Sequence, residues 1–549
     1  MPDPFLQAPP QRPDRFSEDR PLRQSLERLL PADIFDEAAP ELAEMSRLAS
    51  EEFPPLADRA EGNPPRHVPY DAWGRRVDRI EVDPAWLRLV EIGQEKGIVA
   101  TPFEDRYGEH ARVVQYGLLL LYSPSTATAD CPLAMTDACA RVLLNEDVVL
   151  AERYVPRLAA RTDAWTSGQW MTEIEGGSDV GRTGTIARDR GDGAWSLHGT
   201  KWFTSATTAE VALALARPER AEDGSRGLSL FLLELRNPDG AWNGITVRRL
   251  KDKLGTRALP TAELDLDGTV AVPVGGIGNG VRKISAMLNV TRLHTAAGSN
   301  GGVGLGLSTA RDYAFRREAF GRLLADLPLH RVWMAELTAE YEAMTVLGFR
   351  AAQLVGAAER RGDALLARIV LPLAKMSVCS RGVWAASQLV ESFGGMGYLE
   401  DTGLPRILRD SQVQSIWEGT TSVMALDVMR ALLKESAAEA FIEDIERAVG
   451  ASGEPLLEGP VARVREALDE LKVLIKEPSE EGARRLAWAM ARTYQGALLC
   501  EAASWAQRSK DDPRTAHAAQ LFTARQLIGP APAPSNEELG RLAFGDRPS

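Results

Sequence analysis

The sequence predicts an α+β chain of separate domains: an N-terminal helical domain, a central β domain, a C-terminal helical bundle and an extra C-terminal helical domain. Three observations carry this reading. Apolar residues recur every 3 to 4 positions from Pro84 to about Arg161, short β-rich runs take over between Trp165 and Pro273, and helical spacing then returns to about residue 435 and beyond. Helices grouped before and after the strands, instead of alternating with them, argue against a doubly wound sheet. Neither glycine cluster, 275–280 or 298–306, makes a GxGxxG after a strand, so a Rossmann site has little support.

Taken in order, the first segment is a proline-rich arm over 1–82. Thirteen of the 33 prolines fall in its first 70 residues, and since each removes a backbone donor, the arm is expected to be extended and turn-rich. The helical domain, 83–165, begins at DPAWLRLVEIGQEKG, where Asp83 can cap, Pro84 suits the first turn, and Trp86, Leu87 and Val90 share a face. WSLHGTKWFTS, VALALAR and GLSLFLLEL, broken by Gly, Asn, Asp and Pro, mark the β domain, 166–275. Long segments with few prolines over 276–438 predict the bundle. In the last domain, 439–528, VARVREALDELKVLIKE puts Val461, Val464, Leu468, Leu471 and Ile475 on one stripe, and GPAPAPSN opens a tail over 529–549.

Composition narrows the function. The chain has 549 residues, enough for three to four domains, and carries 64 Lys and Arg against 77 Asp and Glu, a net charge of −13 that argues against polyanion or membrane-surface binding as the default activity. Cys131, Cys139, Cys379 and Cys500 form no CxxC pair and, with six scattered histidines, give no metal-ligand spacing, which fits a reduced cytoplasm and no metal. The N-terminus lacks the basic start and apolar run of a secretory signal, and no window approaches a membrane span.

The chemistry concentrates in four segments. Met171 to Asp179 (MTEIEGGSD) opens the β domain and Lys201-Trp202-Phe203-Thr204-Ser205 follows it; Arg316-Arg317-Glu318-Ala319-Phe320-Gly321 lies between long helices; and Phe393 to Tyr398 (FGGMGY) precedes Arg409-Asp410 and Ile416-Trp417-Glu418-Gly419-Thr420. In type, order and spacing these resemble the signatures of the acyl-CoA dehydrogenase family. The resemblance implies FAD held between the β domain and the bundle. Thr172 and Thr204 would offer hydroxyl donors at the flavin edge beside Met171, Trp202 an aromatic wall, and Ser178 a contact near the substrate's pantetheine arm. Arg317 would meet the pyrophosphate and Phe320 the adenine of a neighbouring subunit's FAD, which makes a homo-oligomer, expected to be a tetramer, part of cofactor binding.

By the same resemblance Glu418 is the base that takes the α-proton of an acyl-CoA thioester, expected to be short or branched, while hydride leaves Cβ for flavin N5. Gly394, Gly395 and Thr420 belong to the cofactor site. So does Glu391, which stands where the family commonly has Gln and brings a charge towards a pyrophosphate. Trp417 replaces a common Tyr in the acyl pocket.

Asn63-Pro64-Pro65, Gly74-Arg75-Arg76-Val77-Asp78, Leu250-Lys251-Asp252-Lys253-Leu254-Gly255 and Ser415-Ile416-Trp417-Glu418-Gly419 resemble the AidB-like branch, which is linked to the response to DNA alkylation. That branch implies Arg430 near the active site; twelve residues after Glu418 on the same helix, three turns and a third, it is expected near the same face. It also implies a second function: a DNA-associated protective flavoprotein with weak or vestigial dehydrogenase activity. Double-stranded DNA binding needs a basic face, yet residues 441–549 hold 14 Lys and Arg against 17 Asp and Glu. Binding is therefore expected to be weak, confined to low salt, and led by Arg484, Arg485, Arg492 and Arg508 if they share a face.

Overall fold

The computed structural model describes residues 8–434 and 437–527. The N-terminal segment is helical, which corrects the expected extended arm: α1 (Arg15–Glu18), α2 (Arg20–Leu29), α3 (Ala32–Glu51) and α4 (Phe53–Gly62) precede a hairpin of β1 (Arg66–Tyr70) and β2 (Arg76–Glu81). Apart from Pro40 inside α3, the prolines within these helices do not oppose this. Pro21 opens α2 and Pro54 and Pro55 open α4, where the missing N–H is an orphan anyway and a φ near −65° is already helical. Asp14 and Asp19 accept backbone N–H groups at the starts of α1 and α2. Leu22, Leu26, Leu42 and Met45 are fully buried, and the Arg15 guanidinium reaches the Leu120 carbonyl, Asp19 and Tyr341.

The helical domain continues with α5 (Pro84–Glu95), α6 (Ala111–Tyr122), α7 (Asp130–Glu146) and α8 (Val148–Leu158), and Asp83 caps α5 as its position predicts. The β domain holds β3 (Ser167–Trp170), β4 (Ile186–Asp189), β5 (Trp195–Ser205), β6 (Val211–Pro218), β7 (Ser229–Glu234), β8 (Ile245–Leu250) and β9 (Thr261–Pro273). Five of them close on themselves in the order β6-β4-β5-β9-β7-β6, with β3 parallel to β6 and β8 on β9. The alternation of VALALAR explains why β6 is central. Ala212, Ala214 and Ala216 pack inside the β domain, while Val211, Leu213 and Leu215 face the helices around α7 and α8.

The bundle is built on α9 (Gly280–Ala314). A small hairpin of β10 (Glu318–Ala319) and β11 (Arg322–Leu323) leads into α10 (Pro328–Arg361), α11 (Ala367–Ser392), α12 (Leu404–Gln414) and α13 (Thr421–Lys434). The glycine cluster 298–306 serves packing: a Cβ on Gly301 would lie 2.6 Å from the Leu120 carbonyl oxygen of α6. By length and composition α11 could cross a membrane, but 78% of its apolar window is buried inside the protein, so it reads as a bundle core helix. The last domain is α14 (Ala438–Gly450), α15 (Glu458–Lys476), α16 (Ala483–Lys510) and α17 (Arg514–Gln526), with Val461, Val464, Leu468 and Leu471 buried on one stripe of α15. The expected tail lies outside the described residues.

Candidate active site

The two segments at the mouth of the β domain are joined. The Trp202 N–H donates to the Thr172 carbonyl at 3.0 Å. Beneath that bond Lys201 and Glu173 form a buried ion pair at 2.6 Å, and Glu173 also accepts from Gly184 N–H and the Thr185 hydroxyl, while Lys201 donates to the Leu215 carbonyl. The pairing holds Glu173's carboxyl below its ordinary pKa although burial alone would raise it, and burial lowers Lys201's. Lys201 has no exposed surface. The pair therefore positions the two segments and does not touch a ligand. Thr172 and Trp202 are half-buried, Met171 is buried, and Ser178 is exposed at the turn. The Trp202 ring lies 3.5 Å from the Lys251 ammonium.

Thr204 departs from its expected role. Its side chain is fully buried and its hydroxyl donates to the Ala262 carbonyl at 2.8 Å, so that proton is spent within the sheet. The β5–β9 register shifts between Lys201 and Thr204, and a shift by one residue exchanges the faces of a strand.

Glu418 does not sit on a helix. It occupies the loop between α12 and α13 with φ +58°, followed by Gly419 at φ +104°. A left-handed conformation at a non-glycine residue is uncommon and must be held by its surroundings. Two buried cations do this: Arg292 of α9 donates to the Glu418 carbonyl at 3.4 Å, and Lys375 of α11 donates to the Gly419 carbonyl. The Glu418 carboxylate accepts from the Thr291 hydroxyl at 2.7 Å and faces the Gln169 amide at 3.3 and 3.4 Å. The amide oxygen of Gln169 is buried and has no hydrogen-bond partner among the described residues. Trp417 packs against the core and donates to Gln414, and the Thr420 hydroxyl accepts from Val423 N–H at the start of α13.

None of Gln169, Thr291, Arg292 and Lys375 was singled out from the sequence. Lys375 carried the clearest signal, a lone charge in the apolar run IVLPLAKMSVC; the others stand in ordinary strand or helix contexts. Arg430 does not share a helix with Glu418. Its side chain is 59% exposed and lies 3.6 Å from Asp427, whose other oxygen is taken by Arg292 at 2.8 Å. Because Glu418 precedes α13 on a turned loop, counting helical turns from it does not apply, and the buried arginine beside it comes from α9.

Phe320 is 95% exposed at the tip of the β10–β11 hairpin, where it and Gly321 take the two positive φ values, +54° and +71°, of a tight two-residue turn. Arg317 is exposed at the base of that hairpin. Glu391 is exposed near the end of α11, and Gly394 and Gly395 have no atom within 4 Å of where a Cβ would sit. That open backbone, the exposed Phe320, the Trp202 ring and the orphaned Gln169 oxygen fit a large dinucleotide such as FAD. Gly397 differs: its Cβ would lie 1.9 Å from the Val390 carbonyl oxygen, so it is needed for packing.

The four arginines proposed for DNA do not form one solvent face. Arg484 and Arg485 are exposed, but Arg492 is buried and paired with Glu340 at 2.7 Å, and Arg508 is engaged with Glu454 and the Ala451 carbonyl. The stripe of α16 that carries Arg492 packs against α10, so the arginine compensates a buried carboxylate.

A closed β domain set against a helical bundle, with a carboxylate on a loop held where they meet, is the arrangement of an acyl-thioester oxidoreductase. Models of known families match along the chain: Adaptive response protein AidB N-terminal domain (7–163), acyl-CoA dehydrogenase middle domain (168–269), acyl-CoA dehydrogenase C-terminal domain (278–433) and acyl-CoA dehydrogenase 11 C-terminal domain-like (436–538). The chain belongs to the acyl-CoA dehydrogenase family, on its AidB-like branch. It is 40% identical to acyl-CoA dehydrogenase family member 11 of Caenorhabditis elegans, over 91% of this chain and 86% of the relative. It is 32% identical to AidB of Escherichia coli strain K12, over 83% of this chain and 84% of the relative. The crystal structure of the nematode protein in complex with C11-CoA superposes with a TM-score of 0.95 at 37% identity, over 100% of this chain and 98% of that one. A Bacillus anthracis acyl-CoA dehydrogenase complexed with FAD shares the fold, with a TM-score of 0.74 at 18% identity over 91% and 88%.

Proposed function

We propose that the protein is an FAD-dependent dehydrogenase of acyl-CoA thioesters in which Glu418 is the catalytic base. The observation that carries this is the Glu418 loop: a carboxylate bonded to Thr291 and beside Gln169, its backbone gripped by Arg292 and Lys375. The α-proton of a thioester is weakly acidic, so the base must be preorganised within hydrogen-bond reach of it. Glu418 takes that proton as the Cα–Cβ double bond forms and hydride leaves Cβ. Bound FAD would supply the hydride acceptor. On this chain, Trp202 would wall the ring, Thr172 would offer a hydroxyl at its edge, and Gly394 and Gly395 would leave backbone open to the diphosphate.

The test is Glu418→Gln, titrated anaerobically at the flavin band with acyl-CoAs from isovaleryl-CoA to C11-CoA. The variant should keep its FAD and lose flavin reduction by about 100-fold or more, because the amide accepts no proton. Near-normal reduction overturns the assignment.

The active form is a homo-oligomer, read as a tetramer, in which Arg317 and Phe320 serve a neighbour's FAD. The exposed Phe320, together with Tyr398 and Leu329 at 86% and 83% exposure, supports this. Light scattering should report an oligomer, and Phe320→Ala should lower FAD retention. A monomer that holds FAD overturns it. Burial of Arg492 removes the observation that would have favoured the DNA-associated reading.

A further inference from the structure

A cavity of about 440 Å³ lies away from the Glu418 loop, where α2, α10, α14 and α16 meet. Its wall carries four arginines, Arg28, Arg350, Arg447 and Arg508, with Glu501 and the indole of Trp505. On a chain of net charge −13 this concentration of cations calls for an explanation. The available carboxylates are shared. Glu501 serves both Arg28 and Arg447, Asp444 serves both Arg350 and Arg447, and Glu454 takes Arg508. Four guanidiniums thus face three carboxylates.

Arg28 is the least satisfied. Its side chain is only 11% exposed, yet among the described residues it donates a single hydrogen bond, to Glu501 at 3.3 Å, from a group with five N–H donors. Burial lowers its pKa, and although Glu501 opposes the change, Arg350 and Arg447 push the same way. Arg350, by contrast, donates from all three of its nitrogens, to Asp444, Tyr494 and Gln353. A phosphate between Arg28 and Arg447 would engage the idle donors and more than offset the one excess positive charge. Guanidinium pairs match phosphate oxygens in a planar, bidentate way, and the volume lies within the range of small-ligand sites.

We propose that this cavity binds a phosphate monoester, with the phosphate seated between Arg28 and Arg447 and Trp505 as the wall for the group it is attached to. The site is built jointly by the N-terminal segment, the bundle and the last domain, so its occupant would hold these three together.

The experiment is calorimetric titration of the FAD-loaded full chain with AMP, inorganic phosphate and adenosine, on wild type, Arg28→Gln and Arg447→Gln. AMP and phosphate should bind saturably, adenosine should not, and each variant should weaken AMP binding about tenfold or more, the size expected for a lost charge-assisted contact. Arg447 is half-exposed, so its variant keeps the test valid if Arg28→Gln fails to fold. Unchanged FAD content and acyl-CoA binding in Arg447→Gln would separate this site from the flavin and CoA sites. No AMP binding up to about 10 mM, equal binding of adenosine and AMP, or equal AMP affinity in wild type and Arg447→Gln would each overturn the proposal.

Discussion

Replacing Lys201 with Met isolates the buried ion pair that ties the two flavin-associated segments together. Lys201 is fully buried, and its ammonium lies 2.6 Å from Glu173, whose carboxylate also accepts from Gly184 N–H and from the N–H and hydroxyl of Thr185. Met fills nearly the same volume, so little cavity energy is lost and the perturbation is electrostatic: a carboxylate left in an apolar interior without its cation. Breaking one side of such a pair costs about 3–5 kcal/mol. Spread over a unit the size of the β domain, where each kcal/mol is worth about 4 °C, this should lower its unfolding transition by about 12–20 °C. Glu173→Gln combined with Lys201→Met should recover most of the loss, because the amide keeps its oxygen for Gly184 N–H and turns its NH2 to the Thr185 hydroxyl, which can accept, without the charge. Thermal unfolding of the FAD-loaded protein, followed by circular dichroism and by release of flavin, reads both effects. A shift under about 2 °C in the single variant, or a double variant no more stable than the single, would refute the reasoning.

Two further outcomes follow from the same physics. Lys375→Met removes a buried donor from the Gly419 carbonyl, freeing the loop that aims Glu418; turnover should fall about 10- to 100-fold with FAD content unchanged, and a kcat within about twofold of wild type contradicts that role. Asp410, which accepts from Thr256 N–H, has its pKa raised from 3.8 to about 6 by burial and by Glu61. Between about pH 4 and 6 the folded state then holds a proton that the unfolded chain has released, so this group's contribution to stability falls as pH rises through that window and levels off above it. Asp410→Asn should flatten the stability profile there by about 2–3 kcal/mol, measured by urea unfolding at several pH values, and an unchanged slope counts against the shift.

What the sequence determined by itself is local. The alternation in VALALAR, the 3.6-residue stripe of α15 and the Asp83 cap are set by residues within a few positions of one another, so the order of helical, β and helical domains was readable from periodicity alone. The segments around Met171, Trp202, Phe320, Gly394 and Glu418 were recognisable only by their resemblance to the signatures of the acyl-CoA dehydrogenase family, as contiguous runs of residue types in order. Tertiary structure decided everything that depends on partners distant in the chain. It brought Gln169, Thr291, Arg292 and Lys375 from a strand and two helices to one loop, the first two to the Glu418 carboxylate and the last two to backbone carbonyls, turned Thr204 towards Ala262, and buried Arg492 against Glu340. The proline-rich start became helical for the same reason. Proline forbids little at a first turn, and a helix whose apolar side meets α6 gains more from burial than an extended arm could. A buried polar or charged side chain is stable only opposite its complement, and which complement it meets is settled by packing across hundreds of residues, where no short-range pattern records it.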